Sequence, residues 1–230
     1  MGTREAIQRW RAEPSRRSSR PVHTRPSFRR LEACISPDRR TARRFARLRI
    51  CDGVLAFIGL VVAAPILATC VVLVRATSPG PAIFRQMRVG RRQHVFTCYK
   101  LPTMMIDTAS VASHEVPKSA VTKVGGFLRR TKLDELPQLF NILIGDMSLV
   151  GPRPCLPAQT ELIEARRKRG VYVVRPGITG PAQIQGVDMS TPEALAEIDE
   201  TWVVDGKLGA YVSMLFLAVI GRGQGDRIQK

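Results

Sequence analysis

The sequence predicts a mostly α-helical chain with a small β component, a monotopic membrane protein held by a re-entrant helical hairpin broken at Pro65. Three observations carry that reading. Residues 53–74 read GVLAFIGLVVAAPILATCVVLV, 22 residues without a charge, and a straight helix of that length would reach about 33 Å against a bilayer core of about 30 Å. Pro65 sits mid-run, where it removes a backbone hydrogen bond and bends the helix, leaving arms of about 18 and 14 Å. Arginines flank both ends, with Arg43, Arg44, Arg47 and Arg49 before the run and Arg75, Arg85, Arg88, Arg91 and Arg92 after it. Positive charge favours the cytoplasmic side, so both flanks belong on one face. A chain that enters and returns meets that condition, whereas the alternative, a single-pass helix, does not. Asp52 at the entrance reads as a favourable acid at a helix N-terminus.

The chain of 230 residues holds one substantial domain plus extensions. Its formal net charge is +17, and the first fifty residues, with 15 arginines and 4 acids, carry +11 of it. An excess of this size implies anionic partners: nucleic acid, phosphorylated substrates or an acidic membrane surface. The five cysteines are scattered and never in CxxC spacing, and the three histidines are equally dispersed. That pattern fits a reduced compartment and offers no zinc site, leaving room for a hard cation on carboxylate and phosphate oxygens.

Residues 1–48 mix Arg, Ser and Pro without a sustained period and read as a disordered, Arg-rich arm suited to anionic lipid. TSPGP then makes a turn, and short strands are expected around AIFRQ and HVFTCYK, joined by the basic turn RVGRR. Residues 107–120 are a polar loop. Val121–Arg130 is an amphipathic helix, with Val124, Phe127 and Leu128 beside Arg129 and Arg130. Gln159–Arg169 is a helix stopped by Gly170, and residues 174–186, VRPGITGPAQIQG, are stiffened by Pro and Gly. An acidic helix is expected over Pro192–Val203. Residues 208–220 are apolar but too short to span, so they read as a core or interfacial helix.

The densest chemistry lies in Thr131–Pro154, TKLDELPQLFNILIGDMSLVGPRP. Adjacent helical residues point about 100° apart, so Asp134 and Glu135 cannot share one task. One can face a reacting phosphorus while the other holds a metal ion. Arg129, Arg130 and Lys132 can neutralise phosphate oxygens, and Arg153 on a stiff Gly-Pro-Arg-Pro loop can clamp another. The plainer reading is a helix start whose acids suit the dipole, followed by a surface turn.

Three segments occur together in order: SPGPAIFRQMRVG, LDELPQLFNILIGDMSLVGPRP and VRPGITGPAQ. Together they resemble the bacterial sugar transferases known as monotopic phosphoglycosyl transferases, over roughly Arg49 to the C-terminus. The resemblance implies the same re-entrant hairpin over residues 49–75 and a cytoplasmic catalytic domain with interfacial helices over 76–230, at the bacterial inner membrane. It implies transfer of a sugar 1-phosphate from a UDP-sugar to undecaprenyl phosphate. Asp134 would be the nucleophile and would release UMP, Glu135 would hold Mg²⁺, and Arg129, Arg153, Lys100 and Arg88 would contact phosphate or nucleotide. Two departures stand out. KLPTM replaces the family's Lys-Phe-Arg-Thr-Met block, so Leu101 and Pro102 stand where Phe and Arg are usual. Pro181 stands where the family usually has Trp, and Gln185, Gly186 and Val187 where it has Asn-Gly-Arg.

Two rivals come from other classes. A nucleic-acid-binding module would use the arginines but leave the apolar run and the acidic pair idle, with few aromatics for stacking. A non-catalytic membrane scaffold would leave the adjacent carboxylates and GPRP unexplained. Neither rival would liberate UMP from a UDP-sugar.

Overall fold

Helix α1 runs over Arg39–Thr77 and carries Pro65 inside it. In this computed structural model residues 39–105 and 120–219 are described. The arm reading therefore lies outside the described residues up to residue 38, and the polar loop does so up to residue 119. Two expectations change here. The helix starts at Arg39, so residues 39–48 extend it and are no part of an irregular arm. The chain also stays helical through Pro65, with Thr69 Oγ1 donating to the Pro65 carbonyl at 2.9 Å. Pro65 removes one N–H donor from the ladder, and the apolar flanks continue the helix on either side.

The β-hairpin β1 (Phe84–Val89) and β2 (Val95–Lys100) is antiparallel, in register from Phe84 opposite Lys100 to Val89 opposite Val95. Its turn uses left-handed backbone at Arg92 (φ 54°) and Gln93 (φ 58°). Helix α2 (Lys123–Thr131) is capped by Thr122, whose hydroxyl accepts from the Gly125 N–H at 2.9 Å. Gly125 lets α2 rest directly on the strand exit, since a Cβ there would lie 2.1 Å from the Thr103 carbonyl oxygen. After Lys132, left-handed at φ 58°, comes a 3₁₀ turn, Leu133–Glu135, and then α3, Gln138–Ile144.

A second, parallel pair consists of β3 (Ser148–Val150) and β4 (Gly177–Thr179). Neither strand is expected from the sequence, where both stretches read as turns and stiff loops. The remaining helices are α4 (Thr160–Lys168), α5 (Pro181–Gln185), α6 (Pro192–Asp205) and α7 (Leu208–Val219). The first three of the helices read downstream of the hairpin, α2, α4 and α6, fall where the sequence puts them, with ends shifted by a residue or two.

Helix α1 is part of the core. Leu48 packs with Val150, Trp202 and Tyr211, and Ala56 with Phe96, Ile142 and Met147. Further along, Cys70 and Val74 pack with Leu101 and Leu128. Its other side exposes Val54, Phe57, Ile58, Val61, Val62 and Ile66. Phe45–Thr77 is long and apolar enough to cross a membrane. Asp52 corrects the sequence reading: it lies well inside α1, 2 % exposed, and caps no helix start. Its Oδ1 accepts from the Tyr211 hydroxyl (2.6 Å) and the Leu149 N–H (3.1 Å), and its Oδ2 from the Ser148 hydroxyl (2.6 Å).

Candidate active site

The acidic pair sits on the 3₁₀ turn between α2 and α3. Successive side chains on such a turn point about 120° apart, so the two carboxylates face different surroundings. Asp134 is 8 % exposed. Burial, then the neighbouring Glu135 charge, push its carboxyl up to about 6, against the opposing pull of Lys100, Arg129 and Arg153. Glu135 faces the cations: Arg153 Nη2 lies 2.6 Å and Lys100 Nζ 3.7 Å from its Oε1. The turn is fastened to β2 through the Leu101 N–H, which donates to the Asp134 carbonyl at 2.9 Å.

Arg129, at the end of α2, donates from Nε to Thr103 Oγ1 at 2.8 Å, and its buried Nη1 has no partner among the described residues. A buried guanidinium nitrogen without an acceptor is costly and suits an incoming phosphate oxygen. Arg153 stands on the GPRP loop between β3 and α4, whose Gly151 N–H donates to the Thr179 carbonyl (2.9 Å) while the Gly177 N–H donates to the Pro152 carbonyl (3.0 Å). The structure thus gathers Asp134, Glu135, Lys100, Arg129 and Arg153 around one point. Arg88 is tied to the loop that carries Arg153. It is 7 % exposed, donates from Nη1 to the Pro154 carbonyl at 2.9 Å and holds Gln86 Oε1 with Nε and Nη2. Those bonds brace the loop that carries Arg153.

Residues 43–221 match the family described as bacterial sugar transferase. The chain belongs to that family. A candidate undecaprenyl-phosphate N-acetylgalactosaminyl 1-phosphate transferase of Bacillus subtilis (strain 168) is 48 % identical over 126 residues, 53 % of this chain and 69 % of that protein. The UDP-glucose:undecaprenyl-phosphate glucose-1-phosphate transferase of Caulobacter vibrioides is 40 % identical over 169 residues, 68 % of this chain and 63 % of the relative. The Escherichia coli (strain K12) protein of that name is 39 % identical over 181 residues, 73 % of this chain but only 38 % of the relative. The chain thus spans less than two thirds of the length of these two glucose-1-phosphate transferases.

Within this sugar transferase, both departures from the family pattern have a structural place. Leu101 is buried against Cys70, Val74 and Leu128, so it serves the core beneath the site. Pro181 is buried at the first position of α5, where a missing N–H loses no helical bond. Sequence reasoning passed over Asn141, fully buried on α3, which accepts from the Tyr99 N–H at 3.0 Å and donates to the Thr97 carbonyl at 2.7 Å. It fastens α3 to β2, and its signal was one polar residue inside the apolar run QLFNILI. Gln138 is also buried beside the pair, its Nε2 without a partner among the described residues.

Proposed function

We propose that the protein transfers a sugar 1-phosphate from a UDP-sugar to undecaprenyl phosphate, releasing UMP, at the cytoplasmic face of the bacterial inner membrane. The observation that carries this reading is the opposed treatment of two adjacent carboxylates. Glu135 is held by cations, while Asp134 is desolvated and lifted to about 6 beside a guanidinium nitrogen that has no partner among the described residues. A desolvated carboxylate that remains ionised near neutrality is a nucleophile stripped of its hydration shell. An Asp134 oxygen attacks the phosphorus that bears the sugar, and the bond from that phosphorus to the UMP oxygen breaks. Arg129 and Arg153 take up the charge that develops on phosphate oxygens. In the second step a phosphate oxygen of undecaprenyl phosphate attacks the same phosphorus and Asp134 leaves as carboxylate, giving undecaprenyl diphospho-sugar. The names of the relatives support the two substrates.

The donor set bears on Mg²⁺. Among the described residues no group of three or more His, Cys, Asp or Glu side chains could hold a metal ion. Mg²⁺ commonly binds one or two carboxylates together with substrate phosphates and water. The residues fit an ion that arrives with the diphosphate and rests on Glu135, which would neutralise charge on the diphosphate oxygens. Arg153 and Lys100 hold that carboxylate in place for it.

Membrane attachment follows the same logic. Leu48 and Val74 are about 39 Å apart along a straight α1, yet both pack against the same domain. A helix crossing a core of about 30 Å would carry one of them away from it. That geometry supports a monotopic attachment along the membrane surface, with the exposed face of α1 in lipid and the stripe Leu208, Val212 and Phe216 on α7 as a second apolar surface. Thiols introduced at Arg47 and Arg85 are expected to be labelled only from the cytoplasmic side; periplasmic labelling of either rules out the monotopic attachment. For the activity, the test is incubation with a panel of UDP-sugars, Mg²⁺ and undecaprenyl phosphate, reading UMP. Release of UMP with one donor, and a sugar-phosphate adduct on Asp134 when the lipid is withheld, are the expected results. Release only with lipid present, and no adduct, would favour direct transfer.

A further inference from the structure

Five consecutive residues of the loop that carries Arg153 are each tied down. Gly151 and Pro152 bond to β4, the Pro154 carbonyl accepts from Arg88, and the Cys155 carbonyl accepts from the Val89 N–H at 2.9 Å. The carbonyl of Arg153 itself accepts from Arg166 Nη1 at 2.8 Å. Arg166 lies on α4 and is 1 % exposed. Its Nε and Nη2 both donate to Asp199 Oδ2 on α6, at 2.9 and 2.6 Å, while Asp199 Oδ1 accepts nothing among the described residues. An ion pair this deeply buried is a poor source of stability, since apolar residues of similar volume often serve as well. The third donor of Arg166 gives the pair another role.

We infer that Arg166, locked in orientation by Asp199, is a positioning residue that fixes Arg153 against Glu135. Asp199 engages two of the guanidinium's three nitrogens along one edge and leaves Nη1 to the Arg153 carbonyl. That carbonyl sets the path of the backbone from which Arg153 reaches Glu135 Oε1, 2.6 Å away. Lysine cannot replace this arrangement, because one ammonium on a flexible stem lacks the planar fork that reaches both partners at once. The inference rests on the reaction proposed above for what Arg153 does there, and on the geometry alone for how Arg153 is held.

The test is a double-mutant cycle on the full-length protein, reading UMP release from a UDP-sugar. Arg166→Lys is expected to lower kcat/KM by about 10- to 100-fold, as a misplacement of about 1 Å does. In an Arg153→Ala background the same change is expected to alter kcat/KM by less than about twofold, because the residue it positions is gone. The paired variant Arg166→Met with Asp199→Leu guards against a simple folding defect. It should still unfold cooperatively and show the single variant's loss. Equal losses from Arg166→Lys in both backgrounds would overturn the positioning role. A crystal structure of Arg166→Lys gives a readout independent of turnover: the Arg153–Glu135 contact should open beyond about 4 Å, the outer reach of an ion pair. Retention of that contact at its present length overturns the inference. A wild type that releases no UMP refutes the reading of the reaction, and the crystal structure still decides how Arg153 is held.

Discussion

Asp134→Asn is expected to lower UMP release by about four orders of magnitude or more, the scale on which removal of a nucleophile acts, and at the same time to stabilise the fold above pH 6. Asp134→Glu should lose about 10²-fold, since it keeps the charge and displaces the reacting oxygen by about 1 Å. The stability effect has a definite sign. An unfolded aspartate titrates near about 3.9, whereas the buried Asp134 titrates at about 6. Between those values the folded chain holds a proton that the unfolded chain has released, so stability falls as pH rises through this window. The penalty is complete above about pH 6. Two pH units correspond to about 3 kcal/mol, so the variant's advantage over wild type should grow by about that much between pH 3 and pH 8. Denaturant unfolding in detergent at several pH values reads it, and parallel profiles would remove the desolvation argument. In the wild type, kcat/KM for the UDP-sugar should fall about tenfold per pH unit below about 6, as the carboxylate of the free enzyme is protonated.

The second large effect belongs to Asp52, buried inside α1. Asp52→Ala removes the acceptor for the Ser148 and Tyr211 hydroxyls and the Leu149 N–H. Each buried donor left unsatisfied is expensive, and a combined loss of about 3–5 kcal/mol is expected. Asp52→Asn should lose only about 1 kcal/mol. Its carbonyl still accepts from Leu149 and Tyr211, and its amide can donate to Ser148 once that hydroxyl turns. Thermal unfolding of the two variants separates the cases. Since Ser148 and Leu149 lead directly into the GPRP loop, Asp52→Ala should also make that loop more open to protease. Equal destabilisation by Ala and Asn would show that hydrogen bonding is not what Asp52 contributes.

The site was legible where charge and sequence proximity coincide. Asp134, Glu135, Arg129 and Arg153 lie within one stretch of chain, and the resemblance brought Lys100 to them; all five meet in the structure. The helices α2, α4 and α6 were legible because their apolar period and stop signals are local. What escaped depends on partners distant in sequence. Nothing beside Arg88 in sequence tells that its guanidinium reaches the Pro154 carbonyl. Arg166 and Asp199 lie in two helices read separately, because nothing in either segment tells that they pair in the core. Strands β3 and β4 hold three residues each, too short for alternation to register. Asp52 was misread because its neighbours in sequence are apolar, while its bonding partners come from β3 and α7.

The placement of α1 decides what can be cut away. Leu48, Ala56, Cys70 and Val74 close three separate clusters of the interior. A fragment beginning after Thr77 would present Trp202, Ile142, Met147 and Leu101 to water and leave Ser148 and Tyr211 without their carboxylate. No water-soluble enzyme can therefore be made by trimming off the greasy segment. The exposed half of that helix can be redesigned with polar residues, but its inner half must travel with the catalyst. Anchor and catalyst are one inheritance unit, and a graft that exchanged the anchor for another protein's would have to import three matching seams along with it.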